Sequence, residues 1–333
     1  MTSRVRILFR VNADAALGLG HVSRMRALMQ ALLSQAACRF AVVTNNKEIV
    51  RQLLSGMDFD LYGEGELTPA AHFDAAVVDV PDPGAVKESF HEIADLLVCV
   101  DDNGAGLSGQ DILIRPNLLG LPRPAGMAEE RYWPGQIILH PDFAAKALLP
   151  IRKVSGAREL FVCFGGSDPC GITLRAVNVL KRLDKEVRIR IILGAAFPWD
   201  EKLAPLLSRE ARFLVSRNIP DVAQVLQQAD VALISGGTLL YEACALGVPS
   251  VVVCQNEEQR AEADVAHAAG AVINLGTNAK VLDENILSAV ERLWTDAALR
   301  EEMSSRGVSL VAADGAARLA ARLLTYMRKR SEA

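Results

Sequence analysis

Short apolar runs recur along the whole chain, each closed by turn residues and most followed by a stretch with helical spacing. That alternation constrains the fold more than any other feature. A strand apolar at nearly every position must be covered on both faces, and a helix after it supplies the cover. In the first half the runs are 6–11 (RILFRV), 40–44, 73–80 (FDAAVVDV), 97–101 and 111–115 (DILIR), with helices expected over 22–33, 47–55 and 84–96. In the second half they are 160–164, 187–193, 213–215, 230–234, 249–254 and 272–275. Helices are expected there over 173–183, 199–211, 222–228, 239–246 and 257–268, and from 283 helix to the end with a basic tail at 326–330.

Between the halves, residues 121–157 hold Pro122, Pro124, Pro134, Pro141 and Pro150 and no period, which reads as a connection. The expectation is therefore an α/β chain with domains at 1–150 and 151–333, the second ending in helices. The two doubly wound sheets are expected to face each other across a cleft, with ligands at the carboxyl ends of their strands.

At 333 residues each half can bury a core of its own. The net charge of −4 argues against a nucleic-acid or anionic-membrane surface, which needs clustered cations. No apolar run reaches the roughly 18 residues of a membrane span, and the start Met-Thr-Ser-Arg-Val-Arg leads into a strand, so the reading is soluble and cytoplasmic. Cys38, Cys99, Cys163, Cys170, Cys244 and Cys254 form no CxxC pair and read as small core residues. The five histidines are scattered without HxH or HxxxH spacing, so neither a metal nor another cofactor is expected.

The loops after strands then carry the chemistry. Asn12 to His21 (NADAALGLGH) follows the first strand and opens a helix. Gly18 and Gly20 let backbone approach a ligand, and free N–H groups at the helix start favour an anion. Ser23 stands where a dinucleotide fingerprint needs glycine, and Thr44-Asn45 ends the second strand without an acid, which disfavours an oxidoreductase. His21 is placed to act as a base or to tie the loop down. Arg24 suits a phosphate or carboxylate, or a solvated helix face. Asn12 suits sugar hydroxyls or the orientation of His21, and Asp14 suits a turn.

In the second half, Gly165 and Gly166 free backbone N–H groups, while Ser167 and Asp168 suit a helix cap. Ser235-Gly236-Gly237-Thr238 precedes a helix in the manner of a diphosphate cradle. Glu242, one turn on, suits the two hydroxyls of a ribose or a first-turn glutamate favoured by the helix dipole. Asn256 and Gln259 offer amides to a sugar or simply start a helix.

Taken in order, Gly18-Leu19-Gly20-His21-Val22-Ser23-Arg24, Gly165-Gly166-Ser167-Asp168, Ser235-Gly236-Gly237-Thr238, Glu242, Gly247-Val248-Pro249, Asn256 and Gln259 resemble one family. It comprises the PseG/SpsG-like nucleotide-sugar hydrolases of pseudaminic-acid biosynthesis and the related spore-coat polysaccharide proteins. These resemble the GT-B superfamily, two Rossmann-like domains, and the MurG-type N-acetylglucosaminyltransferases. The resemblance implies that His21 activates water at the anomeric carbon of a UDP-linked 2,4-diacetamido-2,4,6-trideoxy sugar. It also implies that Glu242 holds the ribose, that the glycine loops hold the diphosphate, and that no metal takes part. Two departures accompany it: Arg10-Val11-Asn12 replaces Arg-x-Asp, and Asp79-Val80-Pro81 keeps the Asp of Asp-His-Tyr without the partners that follow. A glycosyltransferase using a nucleotide-sugar donor, and a non-catalytic nucleotide-sugar binder, are the alternatives.

Overall fold

The computed structural model describes residues 4–331, apart from 14–19, 69–70, 84–85, 87–89, 102–103, 105–106, 108, 148–157, 184–185, 209 and 220. In chain order the first elements are β1 (Val5–Val11), α1 (Gly20–Leu33), β2 (Cys38–Thr44), α2 (Lys47–Leu53), β3 (Phe59–Gly63), β4 (Ala75–Asp79), β5 (Leu97–Val100), β6 (Ile112–Ile114), β7 (Tyr132–Trp133) and α3 (Pro141–Ala147). There follow β8 (Glu159–Cys163), α4 (Ile172–Leu180), β9 (Arg188–Leu193), α5 (Asp200–Leu207), β10 (Phe213–Arg217), α6 (Val222–Gln227), β11 (Val231–Ile234), α7 (Thr238–Ala245), β12 (Ser250–Cys254), α8 (Glu257–Ala268) and β13 (Val272–Thr277). Three helices end the chain: α9 (Asp283–Thr295), α10 (Ala297–Leu310) and α11 (Gly315–Ser331).

The strands form two wholly parallel sheets. The first runs β3-β2-β1-β4-β5-β6-β7 and the second β10-β9-β8-β11-β12-β13. Both have the same doubly wound order, with a reversal of direction at β1/β4 and again at β8/β11. In such sheets the crevice beyond the strand ends at the reversal is where ligands sit.

Strand alternation sorts the first core into two faces. Ile7, Phe9, Val42, Ala75, Val77, Val98 and Ile112 point to one, Leu8, Ala41, Val43, Ala76, Val78 and Leu97 to the other. α1 covers the first face through Val22, Met25, Leu28 and Leu32, all fully buried, and α11 adds Leu319, Ala320 and Leu323 to the same cluster. In the second sheet Leu160, Val162, Ile189, Ile191, Val231 and Val251 pack with α4 and α9. On α7, Cys244 lies so close to Gly307 of α10 that a Cβ there would stand 3.1 Å from the Cys244 carbonyl.

Besides β7 and α3, which lie in the stretch read as a connection, the structure differs from the sequence reading in four places. The edge strand β3 (FDLYG) was not expected: every residue of it is half-buried, so it carries neither an apolar run nor a clean alternation. Of the helix expected over 84–96, the described residues form one 3-10 turn, Phe90–Glu92. Beyond it the backbone is taken by a strand-like bridge, with Phe73 N donating to Ile93 O (2.7 Å) and Asp95 N to Phe73 O (3.0 Å). The C-terminal helix run is broken where Asp296 caps α10 by accepting from Leu299 N (2.9 Å). Finally, the chain does not divide once near 150. One compact unit is Met1–Pro141 with Asp314–Ala333 and the other Asp142–Ala313, because α11 spends its apolar face on the first core. The expected basic tail is therefore held: Tyr326 stacks edge-on against Trp133 and Arg330 pairs with Asp111 at 2.7 Å.

Candidate active site

In the first unit the chemistry gathers at the β1/β4 reversal. Val11, the last residue of β1, lies opposite Asp79, the last of β4. Asp79 has the same parity as Ala75 and Val77, so it points to the face that α1 covers. His21 and Arg24 are three residues apart on the first turn of α1, hence on one face of it, directed at that carboxylate. His21 Nδ1 lies 2.6 Å from Asp79 Oδ1, Arg24 Nε donates to Oδ2 at 2.6 Å, and Arg24 Nη2 donates to Oδ1.

Asp79 is completely buried. Burial works against its charge, but Arg24 and then His21 outweigh that cost, and the carboxyl is held below its ordinary range. An ionised carboxylate only accepts, so His21 Nδ1 is the donor in this pair. The His21 side chain is 17% exposed.

The rest of the rim is spent differently. Asn12 Oδ1 accepts from Arg10 Nη1 at 2.5 Å, and Arg10 Nη2 donates to Glu64. Asn12 thus serves Arg10, and the alternative in which it orients His21 is not what the structure has. Arg10 has the parity of Leu8, so it lies on the opposite face from Asp79. Gly20 opens α1; Gly18 and Asp14 lie outside the described residues. A second buried pair went unread in the sequence. Arg115, just past β6, meets Asp101, just past β5, at 3.0 Å, and the same two residues bind Gly104 through its N–H (2.9 Å) and carbonyl (2.6 Å). Its signal was available: each apolar run ends on a charge.

In the second unit the β8/β11 reversal is lined by small residues. Gly165 has φ +88°, a conformation that glycine alone adopts freely. A Cβ on Gly194 would lie 2.2 Å from Gly166 O, and one on Gly236 2.8 Å from Gln259 O, so these backbones touch their neighbours directly. α7 begins after Ser235-Gly236-Gly237, and no side chain caps its first turn. Its leading N–H groups, Thr238 among them, are those an anion would accept from.

Glu242 is four residues beyond Thr238 on the same face. Its charge is felt by the Cys163 thiol at the end of β8, which places it at the same reversal. Burial pushes its carboxyl up to about 7, and no hydrogen bond or ion pair joins it to a described residue. Gln259 Oε1 accepts from Gln255 N (3.0 Å), and its Nε2 lies 3.5 Å from where a Gly237 Cβ would be. Gln255 in turn donates to Phe164 O at 2.5 Å, tying the loop after β12 to the loop after β8. One residue expected as a cap and one expected as a contact both serve as helix caps. Asp168 accepts from Ile172 N (2.9 Å) and Thr173 N (2.8 Å), and Asn256 Oδ1 accepts from Gln259 N (2.9 Å). Among the described residues no group of three or more His, Cys, Asp or Glu could hold a metal, and no helix is long and apolar enough to cross a membrane.

With this geometry in hand, three likenesses bear on it. The chain is 27% identical to the spore coat polysaccharide biosynthesis protein SpsG of Bacillus subtilis over 327 residues, which is 91% of this chain and 93% of that protein. The crystal structure of Acinetobacter baumannii MurG superposes with a TM-score of 0.65 at 14% identity, over 96% of this chain and 99% of that one. The glycotransferase of kitacinnamycin superposes with a TM-score of 0.67 at 16% identity, over 98% and 100%. No protein-family model matches.

Proposed function

We propose, for what is an SpsG-like chain of GT-B fold, that the protein hydrolyses a UDP-linked sugar with His21 as general base. The fold is shared with glycosyltransferases of known structure. The observation that carries the reading is the Asp79–His21 pair at the strand ends of the first unit, in which Nδ1 faces the carboxylate and Nε2 is left to act on water.

The reaction is balanced as UDP-sugar plus water giving free sugar, UDP and a proton. A water hydrogen-bonded to His21 Nε2 gives up its proton as its oxygen attacks the anomeric carbon. The bond from that carbon to the β-phosphate oxygen breaks, and UDP departs with the electron pair. A base in this position is worth about 10²–10⁴ in rate. The second unit receives the nucleotide: the uncapped start of α7 faces the diphosphate, with Gly165, Gly166, Ser235, Gly236, Gly237 and Thr238 lining it, and Glu242 accepts from the ribose hydroxyls. Gln259 and Asn256 offer amide donors to the sugar. The substrate class we favour is a UDP-linked 2,4-diacetamido-2,4,6-trideoxy sugar destined for a nonulosonic acid or a surface polysaccharide. The spore-coat polysaccharide role in the name of the relative supports the latter.

Transfer to an acceptor hydroxyl is the second reading, favoured by the glycosyltransferases among the solved structures and by Val80-Pro81 following Asp79. In it His21 takes the acceptor's proton instead. The deciding experiment incubates the protein with UDP-sugars and follows UDP. Release without acceptor supports hydrolysis, release only with acceptor supports transfer, and tight binding without release sinks both.

A further inference from the structure

Arg24 lies where its sequence position suggested a ligand anion, yet its guanidinium is given to the protein. Nε and Nη2 hold both oxygens of Asp79, and His21 Nδ1 shares Oδ1 with Nη2. The two donor nitrogens, Nη2 and Nδ1, approach to 3.0 Å because both converge on that oxygen. We propose that Arg24 is a positioning residue. It keeps the buried Asp79 ionised and its Oδ1 turned toward His21, and so fixes His21 in the tautomer whose Nε2 accepts a proton. The inference rests on the reading of His21 as base.

The argument is one of charge and geometry. Asp79 has no exposure to water. A carboxylate in that position without a cation takes up a proton instead of staying charged, and a neutral carboxyl no longer dictates which imidazole nitrogen carries hydrogen. A guanidinium engaging both oxygens also fixes the carboxylate plane, which an ammonium would not. Val22 and Met25, fully buried beside Arg24, hold the first turn of α1 against the sheet. Among the described residues, the charged groups in hydrogen-bond reach of the imidazole are Asp79 from β4 and Arg24 from its own helix. With both its oxygens engaged, Asp79 is not the nucleophile, so the attacking oxygen comes from water or an acceptor.

The test uses the full chain with ¹⁵N-labelled histidine, the signal of His21 being identified among five by its absence in His21→Ala. The wild type should show His21 protonated at Nδ1 alone near neutral pH. Arg24→Met should lose that single tautomer, and UDP release should fall about tenfold through kcat with KM little changed. Arg24→Lys should restore part of that loss. Should Arg24→Met fail to fold because it strands a buried charge, the double variant Arg24→Met/Asp79→Asn removes that charge and should fold with the tautomer mixed. An unchanged tautomer in the variants overturns the proposal. So does a loss confined to KM, which would make Arg24 a substrate contact. If the wild type releases no UDP from any UDP-sugar, it is the hydrolase reading that falls, while the tautomer still decides the role of Arg24.

Discussion

The two strand-order reversals occupy the same place in two sheets of the same order, yet they are built from opposite materials. At β1/β4 the last strand residue is Asp79, and side chains do the work: a buried carboxylate, an arginine neutralising it and a histidine oriented by it. At the equivalent place in the second sheet β11 ends in Ile234, opposite Cys163, and the residues that follow are Ser235, Gly236 and Gly237. There the side chains are withdrawn and the backbone of α7 is left to act. The topology supplies a crevice in both cases. What differs is whether the strand end carries a charge that must be paired or small residues that let a helix start stay open.

The comparison breaks most severely at His21. If the first reversal supplies the base and the second the nucleotide grip, His21→Ala should lower UDP release by about 10²–10⁴. Calorimetry should find UDP affinity within about twofold of wild type, since the helix start is untouched. Activity within a few-fold of wild type would remove His21 from the base role. The reciprocal change is Gly194→Ala. Its Cβ would sit 2.2 Å from Gly166 O and 2.3 Å from its Cα, so backbone has to move. Overpacking of that kind costs roughly 1–3 kcal/mol. We expect a lower denaturation midpoint and weaker UDP binding, with the His21 tautomer unaltered. Wild-type stability would mean that the Gly166 loop gives way freely and is not a fixed cradle.

Much of this was legible before the structure. The apolar runs of β1, β4, β8 and β11, and the glycine-rich loops after three of them, were readable, and the strand order then puts them at the two reversals. What escaped has a common physical origin. β3 was invisible because an edge strand half-buried on both faces needs no run and no alternation. The docking of α11 beside α1 was invisible because an amphipathic helix declares that it has an apolar face, not which sheet receives it. The pairing of Arg24 with Asp79 was invisible because its partner is 55 residues away and becomes its neighbour only through the pairing of β1 with β4. The bond from Arg10 to Asn12 was invisible for the converse reason: strand parity turns Asn12 toward Arg10 and away from His21.

Glu242 sharpens the comparison from the second side, because it is an acid there whose carboxyl has no hydrogen bond or ion pair to a described residue. Its carboxyl is pushed up to about 7 by burial. The folded protein therefore binds a proton that the unfolded chain has released, and this contribution to stability is present at low pH and fades as pH rises from the ordinary carboxyl range to about 7. Glu242→Gln should flatten that slope in a denaturation series. For ligand binding the sign reverses: the carboxylate accepts from ribose, so UDP affinity should rise between pH 6 and 8 in the wild type. The variant should lose roughly 1–3 kcal/mol at pH 8 and less at pH 6. Comparing the two proteins removes the titration of the nucleotide's own phosphate. Equal affinities at pH 8 would take Glu242 out of the ribose site.

The smallest effect separates the two jobs given to Asn256, whose Oδ1 caps α8 and whose amide nitrogen is offered to the sugar. Asn256→Asp keeps a capping oxygen and adds a charge that a helix start favours, so stability should hold. Asn256→Ala loses the cap and should cost about 1 kcal/mol in a denaturant midpoint. Both lack the amide donor, so both should raise KM for the nucleotide sugar by the same few-fold with kcat little changed. That pattern, stability split and KM shared, is what a residue with one atom on the helix and another on the ligand must give. If Asn256→Asp keeps the wild-type KM, the residue is a cap and nothing more, and the sugar contacts of the second unit then fall to Gln259, whose Nε2 already lies over the Gly237 turn.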